Sequence, residues 1–293
     1  MAFTKIDKIV SEILAMEAQQ AKDAGALGFM ARTLVQATLP HSKPEGLFFE
    51  RKNGSVSVVI IGHPYAGLPY GSLPRLLMAW MTTEAVKTKE PTLVLGNTLS
   101  DFMEQLGLMP TGGRWGSITR LREQMKRLFS SSISCVYDQP KEQKWAEVGF
   151  RLVNEAKLWW NPNQPEQAGL WESQITLSPD FFQEIIDHPV PIDLRALKTI
   201  KQSPMAIDIY CWLTHRMSYL KKPVKIPWDV LRLQFGAEYG ETKQGRYDFK
   251  RAFTEHLKKI LCIYKTANLE EIDSGLLLKP GKPHIPMKLI TNS

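Results

Sequence analysis

Two stretches of the sequence carry arginines and lysines at spacings that would place them along one side of a helix. The first stretch holds Arg114, Arg120, Arg122, Lys126 and Arg127. The second holds Lys243, Arg246, Lys250 and Arg251, followed by Lys258 and Lys259. Insertion into a DNA groove requires a helix that packs through one face and is basic on the other. These residues are therefore candidate DNA contacts.

A solvated helix offers a second explanation for cations near its C-terminal end, where the helix dipole favours positive charge. That explanation stays open for four of the residues: Lys126, Arg127, Lys258 and Lys259. In the N-terminal half of a helix the dipole disfavours cations, so contact with DNA is the better explanation there. It applies to Arg114, Arg120, Arg246 and Lys250.

The sequence lacks the motifs that would indicate a catalytic or metal-binding site. Gly113 and Gly116 are not followed by the Gly-Lys-Ser/Thr of a phosphate-binding loop. None of the six histidines stands at the spacing of a metal-binding pair, and no Gly-x-Ser-x-Gly nucleophile motif occurs. Tyr210 lies in an apolar stretch, which is typical of core packing. We expect no catalytic residue, no metal and no cofactor.

The first basic stretch lies within a recognisable series of predicted elements. A hairpin over Leu47–Arg51 and Ser55–Gly62 is followed by an apolar helix through Trp80 and a β run over Thr92–Leu95. A helix capped by Ser100 comes next, and then a long helix over Trp115–Phe129. Two strands follow, and the predicted order is that of a winged helix. The ranges of these strands are Ser132–Asp138 and Val148–Trp159.

The second half of the sequence repeats this order. A strand at Ile175–Leu177 and a short helix from Ser178 open it, and the later elements include a helix at Pro204–Tyr219. A second long helix covers Arg246–Leu261. When Trp115 is aligned with Tyr247, the two long helices share both their apolar and their basic positions, which indicates tandem copies of one unit. The shared apolar pairs are Leu121 and Phe253, Met125 and Leu257, and Leu128 and Ile260.

Length and composition set the class of the protein. The 293 residues, 43% hydrophobic and 23% charged, suit a globular chain of two domains. A net charge of +7 favours a polyanionic partner. The three cysteines stand singly, and neither a signal peptide nor a membrane span is visible, so we expect a cytoplasmic protein. We predict an α+β fold with tandem winged-helix domains: an N-terminal helix and linker (1–45), domain 1 (46–170) and domain 2 (171–293).

Several motifs of the first predicted domain resemble the RepA-type plasmid replication initiators. The resemblance is densest from residue 67 to 130 and looser in the second half. The motifs that carry it are Gly67-Leu68-Pro69-Tyr70-Gly71, Pro74-Arg75-Leu76-Leu77, Trp80, Thr83-Glu84-Ala85, Leu95-Gly96, Phe102, Leu106-Gly107, Gly112-Gly113, Arg120-Leu121, Gln124 and Arg127-Leu128-Phe129.

This resemblance implies binding to repeated sites (iterons) in double-stranded DNA at a plasmid origin, local opening of the duplex, and recruitment of the host initiator and replicative helicase. It also implies dimerisation and repression of the protein's own promoter. Two alternatives remain from the residues alone. One is a winged-helix transcriptional repressor without a replication role. The other is a rolling-circle enzyme that nicks the origin, although the histidine ligands of such an enzyme are missing.

Overall fold

The computed structural model describes residues 26–36, 38–53, 56–139, 144–161, 163–167, 172–236 and 238–285, and shows an α+β fold. The elements up to residue 139 are β1 (Leu27–Ala31), α1 (Arg32–Gln36), β2 (Phe48–Asn53), β3 (Val56–Ile61), α2 (Ser72–Thr88), β4 (Thr92–Val94), α3 (Leu99–Gln105), α4 (Ser117–Ser130) and β5 (Ser132–Gln139). The later elements are β6 (Lys144–Arg151), β7 (Val153–Lys157), β8 (Gln174–Leu177), α5 (Pro179–Asp187), β9 (Pro189–Asp193), α6 (Leu194–Ile200), α7 (Pro204–Tyr219), β10 (Val224–Pro227), α8 (Trp228–Phe235), α9 (Lys243–Ile263), β11 (Leu269–Ile272) and β12 (Gly275–Leu278).

The predicted N-terminal helix, Thr4–Ala24, lies outside the described residues, as does Gly54 in the turn of the first hairpin. The two strands of that hairpin are confirmed as β2 and β3, which pair from Phe48–Ile61 to Asn53–Val56. Within the described part of the chain, no helix combines the length and apolar character that a membrane span requires.

The predicted repeat appears in the order of the elements and in the sheets. A helix, a strand, two helices and a hairpin follow one another in each half, as α2, β4, α3, α4 and β7–β8, and again as α7, β10, α8, α9 and β11–β12. The first sheet has the order β4-β8-β7 and the second the order β10-β12-β11, so the last strand pairs with the first strand in both. We call these two sets of elements unit 1 and unit 2.

The hairpin predicted after α4 forms as β5 and β6, but the bounds of its return strand and the sheet that it joins differ from the prediction. The stretch Val148–Trp159 is not one return strand, because the chain breaks at the buried Leu152 into β6 and β7. Strands β5 and β6 pair with each other and with the first hairpin, forming a separate sheet of order β2-β3-β5-β6. This hairpin is therefore an insertion between α4 and the sheet of unit 1.

The strand predicted to open the second domain is confirmed as β8 but belongs to unit 1. It pairs antiparallel with both β4 and β7, so the sheet of the first unit closes only after residue 174. Apolar residues of both units form one continuous core cluster. The domain boundaries at residues 45 and 170 stay a prediction.

The helices begin where the sequence supplies caps. The side chain of Ser178 accepts a hydrogen bond from the Phe181 amide at the start of α5, and Ser203 does the same for Ala206 at the start of α7. A proline follows each cap, where its lack of an amide hydrogen costs nothing. Helix α3 is capped by Thr98 rather than by the predicted Ser100, whose hydroxyl instead donates to Glu166.

The long helices pack through the predicted apolar stripes. Each of the paired stripe residues is at most 3% exposed: Leu121, Met125 and Leu128 in α4, and Phe253, Leu257 and Ile260 in α9. Trp80 of α2 and Trp212 of α7 are both buried, and they are separated in the sequence by the same number of residues as Trp115 and Tyr247. The equivalence of the two units therefore extends beyond the long helices.

A buried ionic contact joins the first helices of the two units. One edge of the Arg75 guanidinium in α2 meets the Asp208 carboxylate in α7, with Nε–Oδ1 and Nη2–Oδ2 distances of 2.7 Å. Arg75 also donates to the carbonyls of Leu39, Pro40 and Gly71, and His41 Nε2 lies 2.7 Å from Asp208 Oδ2. This cluster joins α2 directly to α7, and the antiparallel β1–β9 pair connects the same two helices, since β1 contacts α2 and β9 contacts α7.

The charges in the cluster follow from burial and pairing. Burial acts to raise the pKa of Asp208, but Arg75 and His41 outweigh it and leave this pKa below its ordinary value. Burial lowers the pKa of His41 despite its hydrogen bond to Asp208. A neutral imidazole therefore donates to an ionised carboxylate that Arg75 neutralises.

We expect acid to destabilise the fold in part through His215 on α7. Burial lowers the pKa of His215 to about 4, and the nearby Arg32 and Arg216 act in the same direction. Below an ordinary histidine pKa of about 6.5, the unfolded chain takes up a proton that the folded chain does not. The free energy of unfolding should therefore fall as the pH drops from about 6.5 to about 4.

Urea unfolding at pH 7 and pH 5 measures this effect. The His215→Gln variant should lose less stability than the wild-type protein between the two values, because its side chain does not titrate. An equal loss in both proteins would contradict the assignment.

Candidate DNA-binding surface

The loop before α4 is held rigidly against the start of that helix. The Ser117 hydroxyl donates to the Met109 carbonyl at 2.6 Å. The Thr111 amide donates to the Ser117 hydroxyl, and the Ser117 amide donates to the Thr111 hydroxyl, both at 2.9 Å. A Cβ at Gly116 would lie 2.2 Å from the Thr111 carbonyl oxygen, so only glycine fits at the helix N-cap. The side chains that leave this turn are therefore presented from a fixed backbone.

The cations of α4, and Arg114 in the turn before it, lie outside the buried stripe of the helix. Arg114, Arg120 and Lys126 are exposed and Arg122 is half-buried. Among the described residues, none of the four has an acidic partner within ion-pair distance. Their positive charge is therefore available to an external anion.

Arg127 differs from its neighbours on α4 because it takes part in internal packing. Its Nη1 donates to the Leu68 carbonyl at 3.2 Å, and its guanidinium lies 5.2 Å from the centre of the Tyr70 ring. These contacts hold the turn before α2 against α4. A structural role therefore accounts for Arg127 without DNA.

The predicted cations of α9 also lie at the surface, but most of them are paired. Lys243, Arg246 and Arg251 are exposed and Lys250 is half-buried. The ion pairs are Arg246–Asp229 at 3.6 Å, Lys250–Glu271 at 3.5 Å and Arg251–Asp248 at 3.3 Å. Lys250 also lies 4.9 Å from the centre of the Trp228 ring. Helix α9 therefore presents less unpaired charge than α4.

The hairpin β11–β12 beside α9 is acidic. It carries Glu270, Glu271 and Asp273, and its Lys279 neighbour pairs with Glu270 at 2.8 Å. Glu271 reaches back to Lys250, so the hairpin is tied to the helix through opposite charges. Its charge disfavours contact with phosphate.

Two exposed aromatic residues were not predicted as functional. Trp115, directly before α4, is 80% exposed, and Tyr247 in α9 is 61% exposed. The sequence did contain a signal for them, because they occupy equivalent positions in the two repeats. Among the described residues, no group of histidine, cysteine, aspartate and glutamate side chains is arranged to hold a metal ion.

A comparison with known protein families identifies the family of this chain, which the surface alone does not. A family model described as plasmid-encoded RepA protein matches residues 68–230, more than half of the chain. The chain belongs to the family of plasmid-encoded RepA proteins. The resemblance predicted from the motifs is thereby confirmed. The matched range includes all the candidate residues of α4, whereas those of α9 lie beyond its end.

Among solved structures, the crystal structure of RctB domains 2-3 matches with a TM-score of 0.49 and 12% sequence identity, covering 84% of this chain and 96% of that chain. No curated protein matches the chain significantly.

Proposed function

We propose that this RepA family member is a plasmid replication initiator that binds repeated sites in double-stranded DNA at its origin. The observation that carries the proposal is the family match over residues 68–230. The exposed cations of α4, which have no acidic partner among the described residues, support DNA as the ligand. In this proposal the protein opens the duplex locally and recruits the host initiator and replicative helicase.

We further propose that units 1 and 2 are tandem winged helices, with β8 assigned to the first. The support is the shared element order and the shared sheet order, in which the last strand lies between the other two. The third helix of such a unit enters the major groove, which makes α4 and α9 the groove helices. Two such helices in one chain can contact successive major-groove faces of one site, roughly one helical turn apart.

The proposed mechanism is stoichiometric and involves no catalysis. Cations of α4 and α9 contact phosphates and set the register, and a few helix side chains contact base edges. The acidic hairpin β11–β12 is left out of the phosphate contacts. Binding to several repeats distorts the duplex, and the added contacts offset the free energy of deformation. Dimerisation and repression of its own promoter complete the proposal.

Loss of two cations in the N-terminal half of α9 should weaken binding to the origin. The double variant Arg246→Ala/Lys250→Ala removes two phosphate contacts, so we expect the dissociation constant to rise by about tenfold at 150 mM salt. Fluorescence anisotropy with one origin repeat measures this change. Unchanged affinity at matched salt would remove α9 from the binding surface.

A replication assay separates the initiator from the alternative functions. A plasmid that carries the origin but lacks the gene is introduced into host cells that supply the protein in trans. We expect plasmid maintenance with the wild-type protein and its loss when the cations of α4 are replaced. Regulation of a promoter without maintenance would favour the repressor. A strand break at the origin in purified mixtures with Mg²⁺ would favour the nicking enzyme.

A further inference from the structure

Trp115, in the turn before α4, and Tyr247, in the second turn of α9, are exposed aromatic residues at aligned positions of the two repeats. Trp115 is 80% and Tyr247 61% exposed, whereas the apolar residues at equivalent positions further along both helices are almost fully buried. A large aromatic surface in water has an unfavourable hydration free energy. Its occurrence at the same position of both units points to a ligand contact that both units share.

Each of these rings lies beside an arginine. The Arg114 guanidinium is 5.2 Å from the centre of the Trp115 ring, and the Arg251 guanidinium is 6.0 Å from the centre of the Tyr247 ring. Both units therefore present a flat apolar surface next to a cation. Such a pair can contact an apolar group while the cation contacts a neighbouring phosphate or guanine.

Both rings are also held by close backbone packing. Gly116 directly follows Trp115, and a Cβ there would collide with the Thr111 carbonyl. Gly245 precedes Tyr247 by two residues, and a Cβ there would lie 2.2 Å from the Gly240 carbonyl oxygen. The Thr242 side chain accepts the Gly245 amide at 3.1 Å and caps α9. The backbone of Trp115 therefore lies in a closely packed turn and that of Tyr247 in a capped helix, and this pre-organisation reduces the entropy lost on binding.

The chemistry of the major groove identifies the group that these rings fit. The thymine C5-methyl is the apolar group that base pairs present in this groove. The N-terminal residues of a groove helix contact the base edges, and Trp115 and Tyr247 lie at or near the N-terminal ends of α4 and α9. We propose that Trp115 and Tyr247 recognise thymine methyl groups at equivalent positions in the two halves of each site. This inference rests on the proposed function.

The test removes the methyl group and the ring separately and together. Each thymine of one origin repeat is replaced in turn by deoxyuridine, which lacks only the methyl. For the wild-type protein we expect about a three- to fivefold loss of affinity at one or more positions, as for the loss of one buried methyl group. Trp115→Ala should lower affinity for the unmodified site and become insensitive to deoxyuridine at its own position. Tyr247→Ala should do the same at a different position.

Matched variants control for effects on folding and on general binding. Tyr65 is 97% exposed in the loop between β3 and α2, so Tyr65→Ala removes an exposed ring that belongs to neither α4 nor α9. It should keep full sensitivity to every deoxyuridine. Trp115→Phe keeps an aromatic surface and should retain part of the sensitivity.

The outcomes separate this inference from the proposed function. A wild-type protein that fails to bind the repeat would contradict the proposed function itself. Normal binding without a position at which Trp115→Ala or Tyr247→Ala abolishes the deoxyuridine effect would overturn the inference alone. Weakened binding of Trp115→Ala to single-stranded origin DNA, with duplex binding unchanged, would overturn it in favour of stacking on unpaired bases.

Discussion

Replacing Asp208 by asparagine is expected to lower the free energy of unfolding by about 3–5 kcal/mol. The Arg75 guanidinium would then be buried without a counter-charge, since its side chain is only 3% exposed and its other hydrogen-bond partners are neutral carbonyls. The neutral His41 that donates to the same carboxylate supplies no compensating charge. The loss is large because desolvation of an unpaired buried ion is not repaid.

Urea denaturation at pH 7 measures the effect of Asp208→Asn. The matched control is Asp229→Asn, which removes the exposed ion pair with Arg246 and should cost no more than about 1 kcal/mol. Because Arg75 and Asp208 lie on α2 and α7, the variant should also alter the placement of the two units, which small-angle scattering detects. Equal losses in the two variants would contradict the role assigned to the buried pair.

Removing the unpaired cations of α4 is expected to have the largest effect on DNA binding. The triple variant Arg120→Ala/Arg122→Ala/Lys126→Ala deletes three proposed phosphate contacts. Each contact contributes about 0.9 to the slope of log affinity against log salt, so the slope should become shallower by about 2.7. At 150 mM salt this corresponds to about a 100-fold loss of affinity for an origin repeat. Alanine preserves the helix because its helix propensity is high.

A second triple variant controls for net charge. Lys43, Lys52 and Lys87 are exposed and belong to neither α4 nor α9, and their replacement by alanine removes the same charge. This variant should lose little affinity and keep nearly the full salt slope. Similar losses in both triple variants would show that overall charge, rather than the α4 surface, determines binding.

Periodicity in the sequence was sufficient to predict the long helices and their buried stripes. The spacing of Leu121, Met125 and Leu128 is specific to one face of a helix, and the structure buries all three. The pairing of the strands was not predictable in the same way. Strands β5 and β6 follow α4 directly and have the composition of a hairpin, yet they join the sheet that begins at β2. Local sequence indicates a strand but does not indicate which distant strand it pairs with.

The distinction between buried and exposed cations was also beyond the sequence. Arg51 and Arg75 are almost fully buried, whereas Arg114 and Arg120 are exposed, although all four are arginines in stretches of mixed composition. Burial lowers the pKa of Arg51 to about 10. The partner that neutralises Arg75 is Asp208, which lies more than a hundred residues away in the chain. Only the tertiary fold places such a pair together.

The most direct test of the central claim is a hydroxyl-radical footprint of the purified protein on the plasmid origin, with and without Mg²⁺, at about 150 mM salt. We predict protection of evenly spaced repeats, each covering two successive major-groove faces roughly one helical turn apart, without strand cleavage. Protection of a promoter operator alone, or a specific nick that requires Mg²⁺, would contradict a stoichiometric initiator that binds through both units.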